Sequence, residues 1–339
     1  CMDKAKLDKL RELYGDADGS TYLTDRFKHV GEKLADRPHS GTKPYAGIPT
    51  FLDLPYRESL EGLDVAFVGV PMDLGVTNRT GARFGPRAVR SMERVGPYNH
   101  ALDEVPRGVL KAADIGDVPM RSRFSLAQSH EDIEAFYKQI VAAGVTPLCV
   151  GGDHSISYPI LKALGEKEPV GMVHIDAHMD TGGAYEGEKF HHGGPFRQAV
   201  LSGVLDPERS VQIGIRGAVE CSGEFSYESG MTIVHVEDVE RDGLDGVIAT
   251  AKNVIGDKPF YLTIDVDGID PAYTPGTGTP EVGGLTPLQV QMIIRSLKGL
   301  PLIGGDVVEV APEYDPSSNT AHVAAQLLFE LFTLVALRT

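Results

Sequence analysis

The distribution of apolar and polar residues along the chain changes at Val65. From there onward, short apolar runs alternate with longer segments in which apolar residues recur every three or four positions. The short runs predict buried strands, at residues 65–70, 146–150, 171–175, 211–215, 232–236, 260–266 and 302–310. The longer segments predict helices, which include residues 125–143, 157–164, 287–298 and 320–337.

This alternation predicts an α/β fold in which helices cover both faces of a mostly parallel central sheet. Residues 61–339 are expected to form one catalytic domain. Residues 1–60 are polar and rich in Pro and Gly, with one predicted helix near residues 4–14. They predict an irregular N-terminal arm that wraps a neighbouring subunit or borders a site, because nothing in the segment can form its own core.

Composition narrows the range of partners. The chain has 339 residues and a formal net charge of −16, which argues against nucleic acid and anionic membranes as partners. The same charge favours cationic substrates, although an acidic surface that only aids solubility is an alternative reading.

No apolar stretch approaches the roughly 20 residues of a membrane span, and the N-terminal residues lack the apolar core of a signal peptide. Cys149 and Cys221 show no ligand or redox spacing, so a cytoplasmic location is expected.

Polar side chains with metal-binding chemistry follow three of the predicted strands. Asp176, His178 and Asp180 occupy alternate positions directly after an apolar run. Because side chains alternate between faces along an extended backbone, these three are expected to point the same way. Asp265 and Asp267 repeat the pattern at the end of another predicted strand. A third strand ends in the run Gly-Gly-Asp-His at residues 151–154. In parallel sheets, ligands bind outside the carboxyl ends of the strands.

Carboxylates and imidazoles together suit divalent ions such as Mn, Ni, Co or Zn. The candidate metal ligands are His154, Asp176, His178, Asp180, Asp265 and Asp267. These six residues are more ligands than one ion needs if it keeps an open coordination position. Two ions that share bridging carboxylates therefore fit the number of ligands better. Such a pair would hold, orient and deprotonate a water. A single Asp-x-His run could be an ordinary hydrogen-bonded pair, but burying the whole set without a cation would be very costly.

These runs resemble the signatures of the ureohydrolase superfamily, which includes arginase, agmatinase and related guanidino- and amidino-hydrolases. The three signatures correspond to residues 151–155, 173–180 and 264–281, and the similarity extends from about Val65 to the C-terminal end. The resemblance implies a three-layer α/β/α arginase-type fold with a mostly parallel central sheet. It also implies a trimer or hexamer, expected to be a homo-oligomer, with a hetero-oligomer containing a homologue as the alternative.

The resemblance assigns the ligands to two ions, with manganese expected and nickel as the alternative. One ion would be held by His154, Asp176, Asp180 and Asp265, and the other by Asp176, His178, Asp265 and Asp267, so that Asp176 and Asp265 bridge. The predicted catalytic residues are His192, Glu309 and Asp176. His192 would transfer a proton to the leaving amine, with the adjacent His191 as second choice. Glu309, placed in the last strand, would pair with the planar N–H groups of a guanidinium.

The substrate is less well defined. Residues 81–87 resemble the agmatinase side of the family, although a turn before a helix explains them equally well. Residues 181–191 lack the Asn and Ser spacing that arginase uses for its amino-acid head group, which argues against arginase activity. Asn78 and Gly194 are further substrate-binding candidates, since Gly194 could make room for a larger substrate end. Agmatine or a guanidino acid such as 4-guanidinobutyrate or 3-guanidinopropionate is expected, with urea and an amine as products.

Three alternatives remain open at this stage. The substrate could be guanidine itself or a substituted biguanide such as metformin, with nickel as the metal. A formimino-hydrolase would release formamide and no urea. The chain could also be a non-catalytic subunit that pairs with an active homologue, although such a subunit is expected to lose metal ligands, and all six are present.

Overall fold

The computed structural model describes residues 3–18, 22–35, 45–93, 95–218 and 220–338. Within these ranges, eight strands form one sheet: β1 (Val65–Val70), β2 (Ala112–Asp117), β3 (Thr146–Gly151), β4 (Val170–Ile175), β5 (Leu205–Ile215), β6 (Thr232–His235), β7 (Phe260–Asp265) and β8 (Leu302–Val308). The strand order is β2-β1-β3-β8-β7-β4-β5-β6, and every neighbouring pair is parallel. The predicted parallel sheet is therefore confirmed.

The α-helices in the described ranges are α1 (Lys4–Tyr14), α2 (Asp25–Ala35), α3 (Gly85–Arg90), α4 (Pro106–Val109), α5 (Leu126–Ala142), α6 (Ser157–Leu164), α7 (Pro195–Leu201), α8 (Glu224–Ser229), α9 (Val236–Ile255), α10 (Pro287–Ser296) and α11 (Asn319–Ala336). Apolar residues of α3, α9, α10 and α11 pack on one face of the sheet. Those of α5, α6 and α7 pack on the other. The result is three layers, α/β/α, with the strands buried between the helices.

Strand β2, the long helix α9 and the short helices α4, α7 and α8 were not predicted from the sequence. Strand β2 is short and ends in Ile-Gly-Asp, so it lacks a continuous apolar run. Its Asp114 is buried and accepts hydrogen bonds from Arg90 at 2.8 and 3.0 Å, which explains how a carboxylate sits in this edge strand. Helix α9 is interrupted at Gly243, where φ is 71°, and this break obscures its periodicity.

The N-terminal segment contains more helix than expected. Helix α1 is present as predicted and buries no residue, whereas the unpredicted α2 buries Val30. Helix α2 packs on its own chain, because Lys33 pairs with Glu104 and His29 lies 2.8 Å from Asp103. Residues 1–2, 19–21 and 36–44 of the predicted arm lie outside the described residues. No helix in the described ranges is long and apolar enough to cross a membrane.

Candidate metal and catalytic site

The candidate ligands lie at the carboxyl ends of β3, β7 and β4, which are drawn together by the strand order β3-β8-β7-β4. His154 begins a short 3-10 turn after β3, and Asp265 is the last residue of β7. Asp267 lies in the 3-10 turn that follows β7. Asp176, His178 and Asp180 come after β4, which ends at Ile175. Parallel strands place all these ends on one edge of the sheet, as the sequence predicted.

The first group of ligand atoms surrounds His154. Its Nδ1 lies 3.0 Å from both Asp176 Oδ2 and Asp180 Oδ2, and 3.4 Å from Asp265 Oδ2. Nδ1 is buried and makes no hydrogen bond to any described residue. An imidazole nitrogen that faces three carboxylates without a hydrogen bond has the surroundings expected of a metal ligand.

The proton on the other nitrogen of His154 is assigned by a chain of hydrogen bonds. Thr263 donates its hydroxyl proton to Asp306 Oδ1 at 2.5 Å, so Thr263 Oγ1 accepts from His154 Nε2, 2.8 Å away. In the neutral ring, the Nδ1 lone pair is therefore directed at the carboxylates. Asp306 is itself fixed by hydroxyl groups of Ser157 and Tyr261, at 2.6 and 2.7 Å.

The second group shares Asp176 with the first. His178 Nδ1 lies 3.4 Å from Asp176 Oδ1 and 3.2 Å from Asp267 Oδ2. Asp267 is held in place because its Oδ1 accepts from the Ala177 N–H and its Oδ2 accepts from the Thr279 hydroxyl. A carboxylate common to two donor groups is the arrangement needed to bridge two ions.

The electrostatics of the cluster also favour a cation. Burial, followed by the charges of Asp267 and Asp176, raises the pKa of Asp265 well above its usual value. Burial, followed by the charge of Asp176, raises the pKa of Asp267 to about 6. Both shifts mean that the imidazoles do not neutralise the carboxylates fully. The donor set therefore fits divalent metal ions.

A second pair of buried titratable residues lies beside this cluster. His192 Nδ1 is 2.8 Å from Glu309 Oε1, which also accepts from the His154 backbone N–H at 2.8 Å. Glu309 Oε2 is buried and has no hydrogen bond to the described residues. The neighbouring His191 is committed elsewhere, since its Nε2 donates to the Gly183 carbonyl at 2.7 Å.

A cavity of about 710 Å³ opens onto both features. Its lining includes the candidate ligands His178, Asp180 and Asp265, together with His192. Charged side chains on the rest of its wall are Arg79, Arg216, Glu220 and Glu281. A small molecule bound here would contact the ligand cluster and the imidazole of His192 at the same time.

Comparison with known proteins identifies the family. The model of the arginase family matches residues 63–333. The chain belongs to the arginase family. It is 47% identical to guanidinopropionase of Pseudomonas aeruginosa over 296 residues, which cover 86% of this chain and 93% of that protein. It is 48% identical to mitochondrial agmatinase of Gallus gallus over 293 residues, which cover 85% and 86% of the two chains.

The solved structure of proclavaminate amidino hydrolase from Streptomyces clavuligerus superposes with a TM-score of 0.83. The identity is 34%, and the alignment covers 87% of this chain and 99% of the other. The family resemblance and the α/β fold inferred from the sequence are thereby confirmed. The protein is an enzyme, an arginase-family ureohydrolase.

The local backbone of this arginase-family site differs from the sequence-based prediction. Asp176, His178 and Asp180 were expected to share a face of an extended strand, but β4 ends at Ile175 and Asp180 has a φ of 51°. A turn gathers these side chains, and Asp176 Oδ1 supports it by accepting from the His178 N–H at 2.7 Å. Glu309 was placed in the last strand; it follows the end of β8 with a φ of 66°.

The two substrate-binding candidates outside the cluster occupy different surroundings. Asn78 lines the cavity and donates from Nδ2 to the Gly278 carbonyl at 2.8 Å. Gly194 is not part of the described lining. A Cβ at Gly194 would lie 3.1 Å from the Gly182 carbonyl oxygen and 3.4 Å from His191 Nε2. The idea that Gly194 enlarges the substrate space gains no support from this packing.

The sequence analysis missed a residue that orients the shared carboxylate. Gln212 Nε2 donates to the Met179 carbonyl at 2.5 Å and to His174 Nδ1 at 2.9 Å. His174 therefore carries its proton on Nε2 and donates it to Asp176 Oδ2, 2.7 Å away. A protonated Nε2 cannot bind a metal, so His174 supports Asp176 and is not itself a ligand. The available signal was a glutamine inside the otherwise apolar run at residues 211–215, the last part of β5, where a buried amide needs partners.

Replacing Gln212 with Met is expected to weaken metal binding about 10–100-fold, because His174 loses the donor that fixes its tautomer. Metal affinity can be measured by competition with a chromogenic chelator. Gln198→Met, on α7, is a control for the same substitution, and its affinity should match the wild type. Unchanged affinity in Gln212→Met would contradict the orienting role of Gln212.

Proposed function

We propose that this enzyme hydrolyses a small guanidino compound to urea and an amine. The observation that carries the proposal is the shared carboxylate Asp176, which joins two donor groups at a cavity that His192 also lines. Two divalent ions bound there would lower the pKa of a water and orient it toward the guanidino carbon. We assign one ion to His154, Asp176, Asp180 and Asp265, and the other to Asp176, His178, Asp265 and Asp267.

The remaining residues act on the substrate and on its protons. The water oxygen forms a bond to the guanidino carbon, and the bond from that carbon to the amine nitrogen breaks. His192 delivers the proton that the departing amine needs, while Glu309 Oε1 keeps the imidazole in place through Nδ1. Glu309 is 1% exposed and is not among the residues that line the cavity. We assign its unpaired Oε2 to a guanidinium N–H, so that a bound substrate would supply the missing partner.

Agmatine or a short guanidino acid is the proposed substrate. The two relatives described above carry one name of each kind, at 48% and 47% identity, so overall similarity does not choose between them. The cavity wall offers a partner for either tail. Glu281, whose side chain is 32% exposed, suits a cationic tail, and Arg79 suits a carboxylate. Arg216 is less suitable, because all three of its side-chain nitrogens donate to backbone carbonyls, whereas in Arg79 only Nε and Nη2 do so among the described residues.

The test is urea and amine release by purified protein loaded separately with manganese or nickel. The substrate panel contains agmatine, arginine, 3-guanidinopropionate, 4-guanidinobutyrate, guanidine and metformin, with metal-stripped protein as the control. We expect equal amounts of urea and amine from agmatine or a guanidino acid, and only with metal. Absence of urea from every compound, with two ions bound per subunit, would contradict the proposal. Release of formamide from a formimino substrate would replace it with the formimino-hydrolase alternative.

A further inference from the structure

The loop that follows β1 contacts His192, and this contact has no role in the reaction proposed above. The backbone N–H of Thr77 donates to His192 Nε2 at 3.1 Å, and Thr77 Oγ1 lies 2.7 Å from the same nitrogen. His192 Nδ1 is occupied by Glu309. Thr77 therefore holds the one ring nitrogen that can exchange a proton with the cavity.

The backbone contact suits one of the two protonation states of His192. An N–H group can only donate, so this contact suits the ring form in which His192 Nε2 carries no proton and accepts. The ring proton then lies on Nδ1 and is donated to Glu309 Oε1. A proton on Nε2 would face the Thr77 N–H unfavourably, but the Thr77 hydroxyl oxygen could accept its hydrogen bond at the observed distance of 2.7 Å.

The position of Thr77 relative to His192 is fixed by the backbone. The His192 N–H donates to the Gly75 carbonyl at 2.8 Å, and the Gly75 N–H donates to Asp153 Oδ2 at 2.8 Å. A Cβ at Gly75 would lie 2.9 Å from Ser155 Oγ and 3.1 Å from Ser155 Cβ, so the close approach of this loop to the turn after β3 favours glycine. Gly75, two residues before Thr77, thus anchors the loop both to His192 and to Asp153.

We propose that Thr77 is a positioning residue that accommodates both protonation states of His192. Its backbone N–H pairs with the neutral ring, and its hydroxyl oxygen accepts the hydrogen bond when Nε2 is protonated. This inference rests on the proposed role of His192 in proton transfer. A general acid that also recovers its neutral form in each cycle needs a partner that serves both forms, and a hydroxyl that can either donate or accept meets that need.

Loss of the Thr77 hydroxyl should change the pKa of His192, which the surrounding charges already shift. Burial opposes protonation of His192, but Glu309, Asp153 and Asp180 outweigh it and raise the pKa of His192 to about 9. In Thr77→Val, the neutral ring loses the hydroxyl but keeps the backbone N–H, whereas the protonated ring loses the hydroxyl acceptor and keeps no partner at Nε2 in Thr77. The pKa of His192 should therefore fall by about one unit, the size of one hydrogen bond to a charged group.

The test uses metal-loaded protein and measures the pKa of His192 without substrate. Diethyl pyrocarbonate modifies neutral imidazoles, so the rate of His192 modification against pH, followed by peptide mass spectrometry, reports the pKa. We expect a downward shift in Thr77→Val and recovery of the wild-type value in Thr77→Ser. Val and Thr have the same shape, and thermal unfolding of both variants checks that the fold is kept.

A parallel measurement is the pH profile of kcat/KM for urea release. Its limb assigned to His192 should shift with the modification curve, with kcat/KM about 10-fold lower in Thr77→Val. An unchanged pKa in Thr77→Val, or a shift that Thr77→Ser fails to reverse, would overturn the inference. Because the modification assay needs no substrate, the role of Thr77 can fail or stand independently of the proposed hydrolysis.

Discussion

Replacing His192 with Asn is expected to lower kcat about 10²–10⁴-fold, the range typical for loss of a general acid. The side chain lines the cavity, and the Nδ1 contact with Glu309 Oε1 at 2.8 Å holds it there. Asparagine has no group that titrates near neutral pH, so the leaving amine would have to take its proton from water. Steady-state urea release measures the effect, and metal content should stay at the wild-type level because His192 belongs to neither donor group.

The adjacent His191 provides a matched control. Its Nε2 donates to the Gly183 carbonyl, and its Nδ1 accepts from the Gly193 N–H, so it supports the loop and does not reach Glu309. His191→Asn should cost less than about 10-fold in kcat, the scale of one or two lost hydrogen bonds. A larger loss in His191→Asn than in His192→Asn would mean that the two histidines have been assigned the wrong way round.

Replacing Asp267 with Asn is expected to change protein stability in opposite directions with and without metal. Burial and the charge of Asp176 raise the pKa of Asp267 to about 6 in the metal-free protein. In the unfolded chain, this carboxyl titrates near 3.9. As the pH rises from about 4 to 6, this carboxyl ionises in the unfolded chain but stays protonated in the folded protein. Ionisation favours the unfolded chain, so the wild type loses stability, whereas the uncharged Asn variant does not. At pH 7.5 in chelator, the variant should be more stable by about 2–3 kcal/mol.

Bound metal should reverse the relative stability of the wild type and Asp267→Asn, because the asparagine amide would be a poorer ligand for the second ion than the carboxylate it replaces. With metal present, the wild type should be the more stable protein, and the variant should bind one ion per subunit and lose most of its activity. Urea-induced unfolding at pH 4.5 and 7.5, with and without chelator, measures the reversal. Elemental analysis counts the ions. Two tightly held ions in Asp267→Asn would contradict the assignment of this ligand.

Asp270 is a suitable control for the stability measurement. Backbone N–H groups of Ala272, Gly284 and Gly283 lower its pKa, whereas the pKa of Asp267 is raised. A carboxyl group with a lowered pKa stabilises the folded protein at pH values above its pKa in the unfolded chain. This stability is lost as the pH falls. Asp270→Asn should therefore make the chelated protein less stable at pH 7.5 and have little effect at low pH. An equal pH dependence of stability in Asp267→Asn and Asp270→Asn would show that the charge of Asp267 does not cause the stability change.

Much of the candidate site could be predicted because it is encoded over short distances in the chain. Asp176, His178 and Asp180 follow one apolar run, and Asp265 and Asp267 follow another. Both runs form parallel strands, β4 and β7, whose carboxyl ends lie side by side. The reason given for the shared face of the first run was wrong, because a turn and not a strand brings its side chains together.

The residues that orient the site could not be predicted in the same way. Thr263, Asp306 and Gln212 are polar residues within buried strands, where burial without partners would be costly. The sequence shows that each needs a partner but does not name it. Asp306 contacts Thr263 only because β8 lies beside β7, and Gln212 contacts His174 only because β5 lies beside β4.

The amino-acid sequence alone determined the parallel α/β fold, the edge of the sheet that carries the candidate site and the chemistry of its candidate ligands. These features depend on residue type and on local periodicity, which the chain displays directly. Only the tertiary structure decided which nitrogen of His154 carries its proton, how His174 and Gln212 support Asp176, and that Thr77 contacts His192. The contact between Thr77 and His192 spans 115 positions of the chain, so it depends on how the strands are ordered and how their loops pack.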